Sequence, residues 1–328
     1  MTDTEKQKFI EENRILEVEV GSFVYGTNIE TSDKDYSGII SLPEEYYLGF
    51  NTLDEIDMSV VSKLSNGKNS SDAVDKKYYN VKKFFKLAME SNPNILEQLF
   101  TPKANIIFEN ELGKRILDCK HLFPSKLVKQ KFLGYAFSQK HKMVIKTDNY
   151  NSLSESYKWF EDKILPEIGI RRDSNFCAKL LAEFRDAKIP GVKFNDSFAT
   201  IGDMNISVHD KMSKVFSKLT ERLSKVGNRE ELYTKYGYDT KFGMHLIRLM
   251  LEGKELLETG SINYPLIDAN MLIDIRNGKW SKESIIEYSE QLESEIETLV
   301  EKTSLPTKPN YNQLEKVLVS IIKDHWRQ

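Results

Sequence analysis

GSFVYGTNIETSDKDYSGI, residues 21–39, is the stretch on which the reading of this chain turns. Ahead of it, Ile15 to Val20 alternates apolar and polar residues as a strand does, so Gly21-Ser22 falls at the strand's end. Eleven residues beyond Ser22, Asp33-Lys34-Asp35 opens a second strand that runs from Asp35 to Ile40 and enters the turn Ser41-Leu42-Pro43. A Gly-Ser turn lets backbone N–H groups and one hydroxyl approach phosphate oxygens closely, because glycine lacks a side chain and permits positive φ. Residues i and i+2 of a strand share a face, so Asp33 and Asp35 are expected side by side. Two carboxylates so placed repel unless a cation stands between them. Mg²⁺ or Mn²⁺ suits that position, and Mg²⁺ commonly bridges one or two carboxylates to substrate phosphates.

Moving outward, Ser65 to Ser71 is a loop by composition, and Val74 to Val81 after it reads as a third strand. Phosphoryl-type transfer asks a protein for positioning, charge neutralisation and in-line approach, which two metals held by acidic side chains supply. A third carboxylate is therefore sought. Asp75, at the apolar-flanked start of the third strand, is the candidate, with Asp57 and Asp72 as alternatives.

The run G-S-x-x-x-G-T-x-x-x-x-S-D-x-D-x-x-G resembles the signature of the nucleotidyltransferase superfamily with the DNA polymerase β type catalytic fold. It is most similar to a bacterial and phage group of predicted nucleotidyltransferases. The likeness extends to Lys83-Phe84, Asn92-Pro93-Asn94 with Glu97, Gly134-Tyr135-Ala136, Tyr238-Asp239-Thr240-Lys241 and Met244-His245-Leu246-Ile247-Arg248-Leu249. The resemblance implies that Gly21 and Ser22 cradle phosphate and that Asp33 and Asp35 bind metal. Residues 150–234 lie outside it.

From Val81 the periodicity becomes helical, with Phe84, Phe85, Leu87 and Ala88 on one face until Asn92-Pro93-Asn94 stops it. Further helices are expected over Leu127–Ile145, Ser154–Leu165, Phe176–Lys188, Val208–Val226, Thr240–Glu258 and Ser281–Ser304; residues 190–207 read as a long loop or a short hairpin. A strand-rich front and a helix-rich back predict an α+β protein: a mixed-sheet nucleotidyltransferase catalytic domain over residues 1–118, then a mostly helical domain over 119–328. The second is expected to close the nucleotide cleft and contact the acceptor.

Lys241, His245 and Arg248 share one face of a helix, which reads either as a cationic surface for the nucleotide or as a solvated lysine, a half-buried histidine and an arginine paired with Glu252. Lys83, flanked by Lys82 and Lys86, is a further candidate for the triphosphate. No acidic residue interrupts His121 to Lys146, where Lys126, Lys129, Lys131, Lys140, His141 and Lys142 interleave with Phe123, Phe132, Tyr135 and Phe137. Basic charge beside aromatic rings suits a single strand of RNA, whereas helical spacing sends Phe132, Leu133 and Tyr135 to the core.

A net charge of −3 and a pI near 6.1 exclude a protein that coats nucleic acid through its overall field. No stretch approaches the roughly 20 apolar residues of a membrane span, and MTDTEKQKFIEENR lacks a signal peptide's apolar core, so a cytoplasmic protein is expected. Cys119 and Cys177 stand in no metal-binding or disulfide pattern and read as buried thiols. The expected activity is transfer of a nucleoside monophosphate from a nucleoside triphosphate to a hydroxyl, with RNA such as tRNA as a candidate acceptor. A protein acceptor, as for a toxin-like AMP-transferase, and a non-catalytic nucleotide or RNA sensor are the alternatives. The oligomeric state stays open.

Overall fold

The computed structural model of the protein describes residues 1–30, 32–60, 74–164, 174–226 and 230–327. The loop Ser65–Ser71 and the alternative carboxylate Asp72 lie outside the described residues. The chain divides into two compact units, one made of Met1–Lys140 with Gly243–Gln328 and the other of His141–Phe242.

The first unit is built on a five-stranded mixed sheet. Helix α1 (Asp3–Asn13) leads into β1 (Arg14–Val20); the short α2 (Ser22–Tyr25) precedes β2 (Lys34–Ile40), and α3 (Glu45–Leu48) precedes β3 (Glu55–Asp57) and β4 (Val74–Asn80). Then come α4 (Val81–Met89), α5 (Pro93–Leu99), β5 (Ile106–Glu109) and α6 (Glu111–Asp118). The strand order is β3-β4-β2-β1-β5; β2 and β4 run parallel, and the other neighbours are antiparallel. The α+β class expected from the sequence is the class observed. Strands β3 and β5, three and four residues long, went unread because so few residues carry no periodicity.

Chain chemistry sets each junction. Asn80 ends β4 and caps α4, accepting from the Lys82 N–H at 2.9 Å. Phe84, Phe85 and Ala88, spaced as a helix face, are buried beneath that helix. Gly38, the last glycine of the opening motif, has a packing role. A Cβ there would fall well inside 3.0 Å of the Tyr78 ring. The missing side chain lets Tyr78 pass over β2, and its hydroxyl donates to Glu17 Oε2 on β1 at 2.8 Å. Burial pushes the Glu17 carboxyl up, but hydrogen bonds from Lys76, Arg14 and Tyr78 hold it below the ordinary carboxylate value.

The long helix α7 (Leu127–Ile164) starts in this unit, and α11 (Thr240–Thr259) returns to it, followed by α12 (Ala269–Arg276), α13 (Lys282–Lys302) and α14 (Tyr311–His325). These returning helices pack against the sheet half. Arg115 pairs with Asp324 at 2.9 Å, Trp326 donates its indole N–H to the Leu42 carbonyl at 3.0 Å, and the Leu266 N–H bonds the Tyr25 carbonyl at 3.1 Å. The expected boundary at residue 118 therefore differs from the division of the fold. Such partners lie more than two hundred residues apart in the chain, and no local pattern announces them.

The second unit holds α8 (Ala178–Asp186), a three-stranded antiparallel sheet of β6 (Val192–Phe194), β7 (Phe198–Ile201) and β8 (Met204–Ser207), α9 (Met212–Val226) and α10 (Glu230–Tyr236). Residues 190–207 thus form a meander rather than a loop or a single hairpin. Its core gathers Phe160, Phe176, Phe184, Ile206, Val215 and Leu219. Cys119 is buried as expected, its thiol pushed up to about 11 by that burial. Cys177 is exposed instead, because it stands at the N-cap of α8 while its neighbour Phe176 fills the core. Among the described residues no helix is long and apolar enough to cross a membrane.

Candidate active site

The Gly-Ser turn and the carboxylates meet at one end of the central strands. Gly21 has φ +79° and forms the N-cap of α2, and its carbonyl accepts from the Val24 and Tyr25 N–H groups. A Cβ on Gly21 would fall well inside 3.0 Å of Asp35 Oδ2, so both the backbone conformation and the space require glycine. Ser22 opens the helical turn, where the leading N–H groups have no carbonyl partner within the helix.

Asp35 is paired with Val20 on one side and stands in register with Asp75 on the parallel strand β4 on the other. In-register residues on neighbouring strands put their side chains on one face, with the strands about 4.8 Å apart. Two carboxylates thus adjoin across strands. The Ser59 hydroxyl donates to Asp75 Oδ1 at 2.9 Å, which steadies that side chain through one oxygen. Asp75, the candidate from the sequence, thus stands beside Asp35, whereas Asp57 sits on β3 at the sheet edge, accepting from the Ser59 N–H and pairing with Lys77 at 3.6 Å.

A pocket of about 330 Å³ opens here, walled by Gly21, Tyr25, Asp35, Ser37, Asp75, Lys77, Tyr79, Asn94, Glu97 and Gln98, among others. Asp75, Lys77 and Tyr79 alternate along β4, as Asp35 and Ser37 do along β2, so one face of the sheet forms its floor. Asp33 is not among its walls. It precedes β2 by one residue, so strand alternation does not fix its direction as expected. Among the described residues no group of three or more His, Cys, Asp and Glu side chains is gathered as a metal site. The donors present are hard carboxylate oxygens, and two like charges opposed in register favour a cation between them, which fits Mg²⁺ held by one or two carboxylates and completed by substrate phosphates.

Lys83 is placed elsewhere. β4 carries the chain five residues from Asp75 to Asn80, about 17 Å of strand, before α4 begins. Its ammonium bonds Glu55 at 2.9 Å and lies 3.8 Å from Asp54, and the Glu55 bond holds it above the ordinary lysine value. It lines a separate pocket with Tyr46, Tyr47, Lys82 and Lys86.

Arg248 is buried. Its Nη1 lies 2.7 Å from Glu97 and 2.9 Å from Glu252, and its guanidinium stacks over Tyr25 at 4.3 Å. The local pairing with Glu252 was expected from the spacing; the bond to Glu97 was not. Tyr25 donates to Glu97 as well, and Tyr264 to Glu252 at 3.4 Å. One guanidinium faces two carboxyls here. Burial, opposed by the Arg248 charge, drives Glu252 well above the ordinary carboxylate range toward its neutral form. Arg248 thus anchors the wall of the pocket from behind. His245 is half-buried in the same helix, and Lys241 is exposed at its start, within the second unit.

The basic run is largely absorbed. Phe123, Phe132 and Leu133 are buried, and Lys129, Lys131 and Lys140 pair with Glu297, Glu90 and Glu290, whereas Tyr135, expected in the core, is exposed and accepts from Asn92 at 3.1 Å, and Phe137 is exposed too. The helix α13 supplies two of those partners. Tyr25, Ser37, Lys77, Tyr79, Asn94, Glu97 and Gln98 are among the pocket residues that sequence reasoning passed over. Asn94 and Glu97 lie in runs quoted for the family resemblance, but their helical spacing alone pointed to no site.

Residues 3–160 match the model of a family described as the RNA repair pathway DNA polymerase beta family, RlaP. Over 304 residues the chain is 25% identical to an uncharacterized 38.9 kDa protein from the nrdC-mobD intergenic region of Enterobacteria phage T4, covering 84% of this chain and 86% of that protein. A nucleotidyltransferase-like protein from Exiguobacterium sibiricum 255-15 is matched over 99% of this chain and 80% of its own, with 8% identity and a TM-score of 0.25.

Proposed function

We propose that this chain, whose residues 3–160 match a DNA polymerase beta family model, transfers a nucleoside monophosphate from a nucleoside triphosphate to a hydroxyl acceptor and releases pyrophosphate. The observation that carries the reading is the register of Asp35 with Asp75 beside a turn where only Gly21 fits. A binder of polyphosphate alone has no use for two carboxylates facing its anionic ligand. An enzyme that must hold a metal and receive a proton does.

In this reading the Gly21-Ser22 turn and the Ser22 hydroxyl take the outer phosphates. Asp33, Asp35 and Asp75 are the residues that would hold Mg²⁺ or Mn²⁺, which when bound supplies charge neutralisation for the phosphates. Asp75 accepts the proton of the acceptor hydroxyl, using the oxygen that Ser59 leaves open. The acceptor oxygen then bonds the α-phosphorus while the bond to the β-phosphate oxygen breaks. Lys77, on the same face as Asp75, stays protonated: burial lowers its value, but Asp57 and other nearby anionic groups raise it further. It stands ready to meet developing negative charge. Arg248 is left out of substrate binding, since Glu97 and Glu252 occupy it; Lys241 and His245 remain proposed nucleotide contacts.

The matched family's description favours RNA as acceptor, with a protein hydroxyl, as for an AMP-transferase, as the second choice. The test is to incubate the protein with each α-labelled nucleoside triphosphate, Mg²⁺ or Mn²⁺, and total RNA or lysate protein. Label is expected in the RNA fraction, and Asp35→Asn or Asp75→Asn should abolish it. Label in protein moves the acceptor to the second choice; transfer that persists in the folded double variant overturns the site.

A further inference from the structure

We propose that Asn94 and Gln98 select the nucleobase of the bound triphosphate, reading the N7 edge of adenine, where an N–H donor stands beside an acceptor. The inference rests on the nucleotidyl-transfer reading and deepens it. Both residues wall the pocket that holds Asp35 and Asp75. They stand four apart on α5, hence on one face of that helix and one turn from each other.

Gln98 is 4% exposed, yet its side-chain amide makes no hydrogen bond to any described residue, and its polar atoms are not sealed from the pocket. A buried amide left without a partner costs free energy that a ligand's complementary group recovers. Asn94 is exposed at the pocket mouth, and its amide is likewise without a protein partner among the described residues. Two unengaged amides on one wall are a recognition surface.

Charge decides which part of the nucleotide they meet. Next to Gln98 stands Glu97, buried in a network in which one guanidinium faces two carboxyls. With those charges paired among themselves, that wall offers phosphate no cation and leaves the triphosphate to the Gly21 turn and Lys77, so the nucleobase faces α5. An amide presents a donor and an acceptor together, which matches adenine's N6–H and N7; guanine presents two acceptors on the same edge. The expected preference is ATP over GTP.

The test is calorimetric titration of the full-length protein with ATP, GTP, CTP, UTP and inorganic tripolyphosphate, in wild type, Asn94→Ala and Gln98→Leu. Wild type should bind ATP at least about tenfold more tightly than GTP. Each variant should lose about tenfold for ATP while tripolyphosphate binding is unchanged. Because Gln98 is buried, circular dichroism checks that variant's folding, and the exposed Asn94→Ala carries the test by itself if Gln98→Leu fails to fold. Variants that bind all four triphosphates as wild type does, or a wild type that favours GTP, overturn the subsite. Wild type that binds neither tripolyphosphate nor any nucleotide overturns the nucleotidyl-transfer reading and the subsite with it.

Discussion

Gly21 and Arg248 show how differently a single position can serve the same pocket. At Gly21, both the positive φ and the closeness of Asp35 forbid a side chain. Gly21→Ala is expected to displace the Asp35 carboxylate and lower label transfer by about 100-fold or more, as small misplacements near reacting groups do. Thermal unfolding alongside the transfer assay separates that effect from misfolding, and undiminished transfer would contradict the placement of Asp35. Arg248 acts through its anions. Arg248→Met leaves Glu97 and Glu252 facing each other without a cation, at a cost of about 3–5 kcal/mol, whereas Lys241→Ala, at an exposed position, should change stability by less than about 0.5 kcal/mol. Urea unfolding of both variants checks the contrast. The glycine's role was legible from chemistry that needs only its immediate neighbours. For Arg248 the spacing offered both an open cation and the local pair with Glu252, but not the bond to Glu97, which stands 151 residues away.

At the level of strands and helices, the motif specifies packing as well as chemistry. Gly38 lies on the sheet face opposite Asp35, where Tyr78 crosses to Glu17. Gly38→Ala should therefore cost about 1–3 kcal/mol by overpacking. Because the lesion lies on the other face, nucleotide affinity in the folded fraction should hold; a large affinity loss in fully folded protein would show that the two faces are coupled. β1, β2 and β4 were readable from alternation within a residue of their ends. The β2 start matters most, since the strand begins at Lys34 and leaves Asp33 just outside it. The sheet order was not readable: pairing β2 with β4 in parallel depends on a crossover whose partners are distant in sequence.

Across the whole molecule, both units hold carboxyls depressed by their partners, Glu17 in the first and Asp210 in the second. In the second, burial raises the Asp210 carboxyl, but bonds from Lys218 and Lys214 and the Ser207 N–H bring it down to about 2 from an ordinary 3.8. A carboxyl depressed in the folded state stabilises at pH above its unfolded value and loses that contribution as pH falls through its folded value. The window is therefore about pH 4 down to 2. Asp210→Asn should be less stable than wild type at neutral pH, and the gap should close as pH approaches 2. Thermal unfolding followed from pH 7 to pH 2 reads this directly, and a constant gap across the range would refute it. No sequence pattern marked the aspartate, because its lysines lie four and eight residues on but its N–H donor depends on the turn after β8.

The discontinuity of the first unit has a consequence for how the protein is made. Its sheet is complete by Glu109, yet α14, which packs against α4 and α6, belongs to Gly243–Gln328, and about a hundred residues of the second unit are synthesised in between. At roughly 5–20 residues per second, a ribosome spends about 5–20 s on that interval. Throughout it, the surfaces destined for Asp324 and Trp326 stay uncovered on the nascent chain. The second unit, contiguous in sequence, can fold during the same seconds. The unit whose strands are made first is thus completed after the second, and its carboxylate pocket gains its Arg248 anchor only once the second unit has been synthesised.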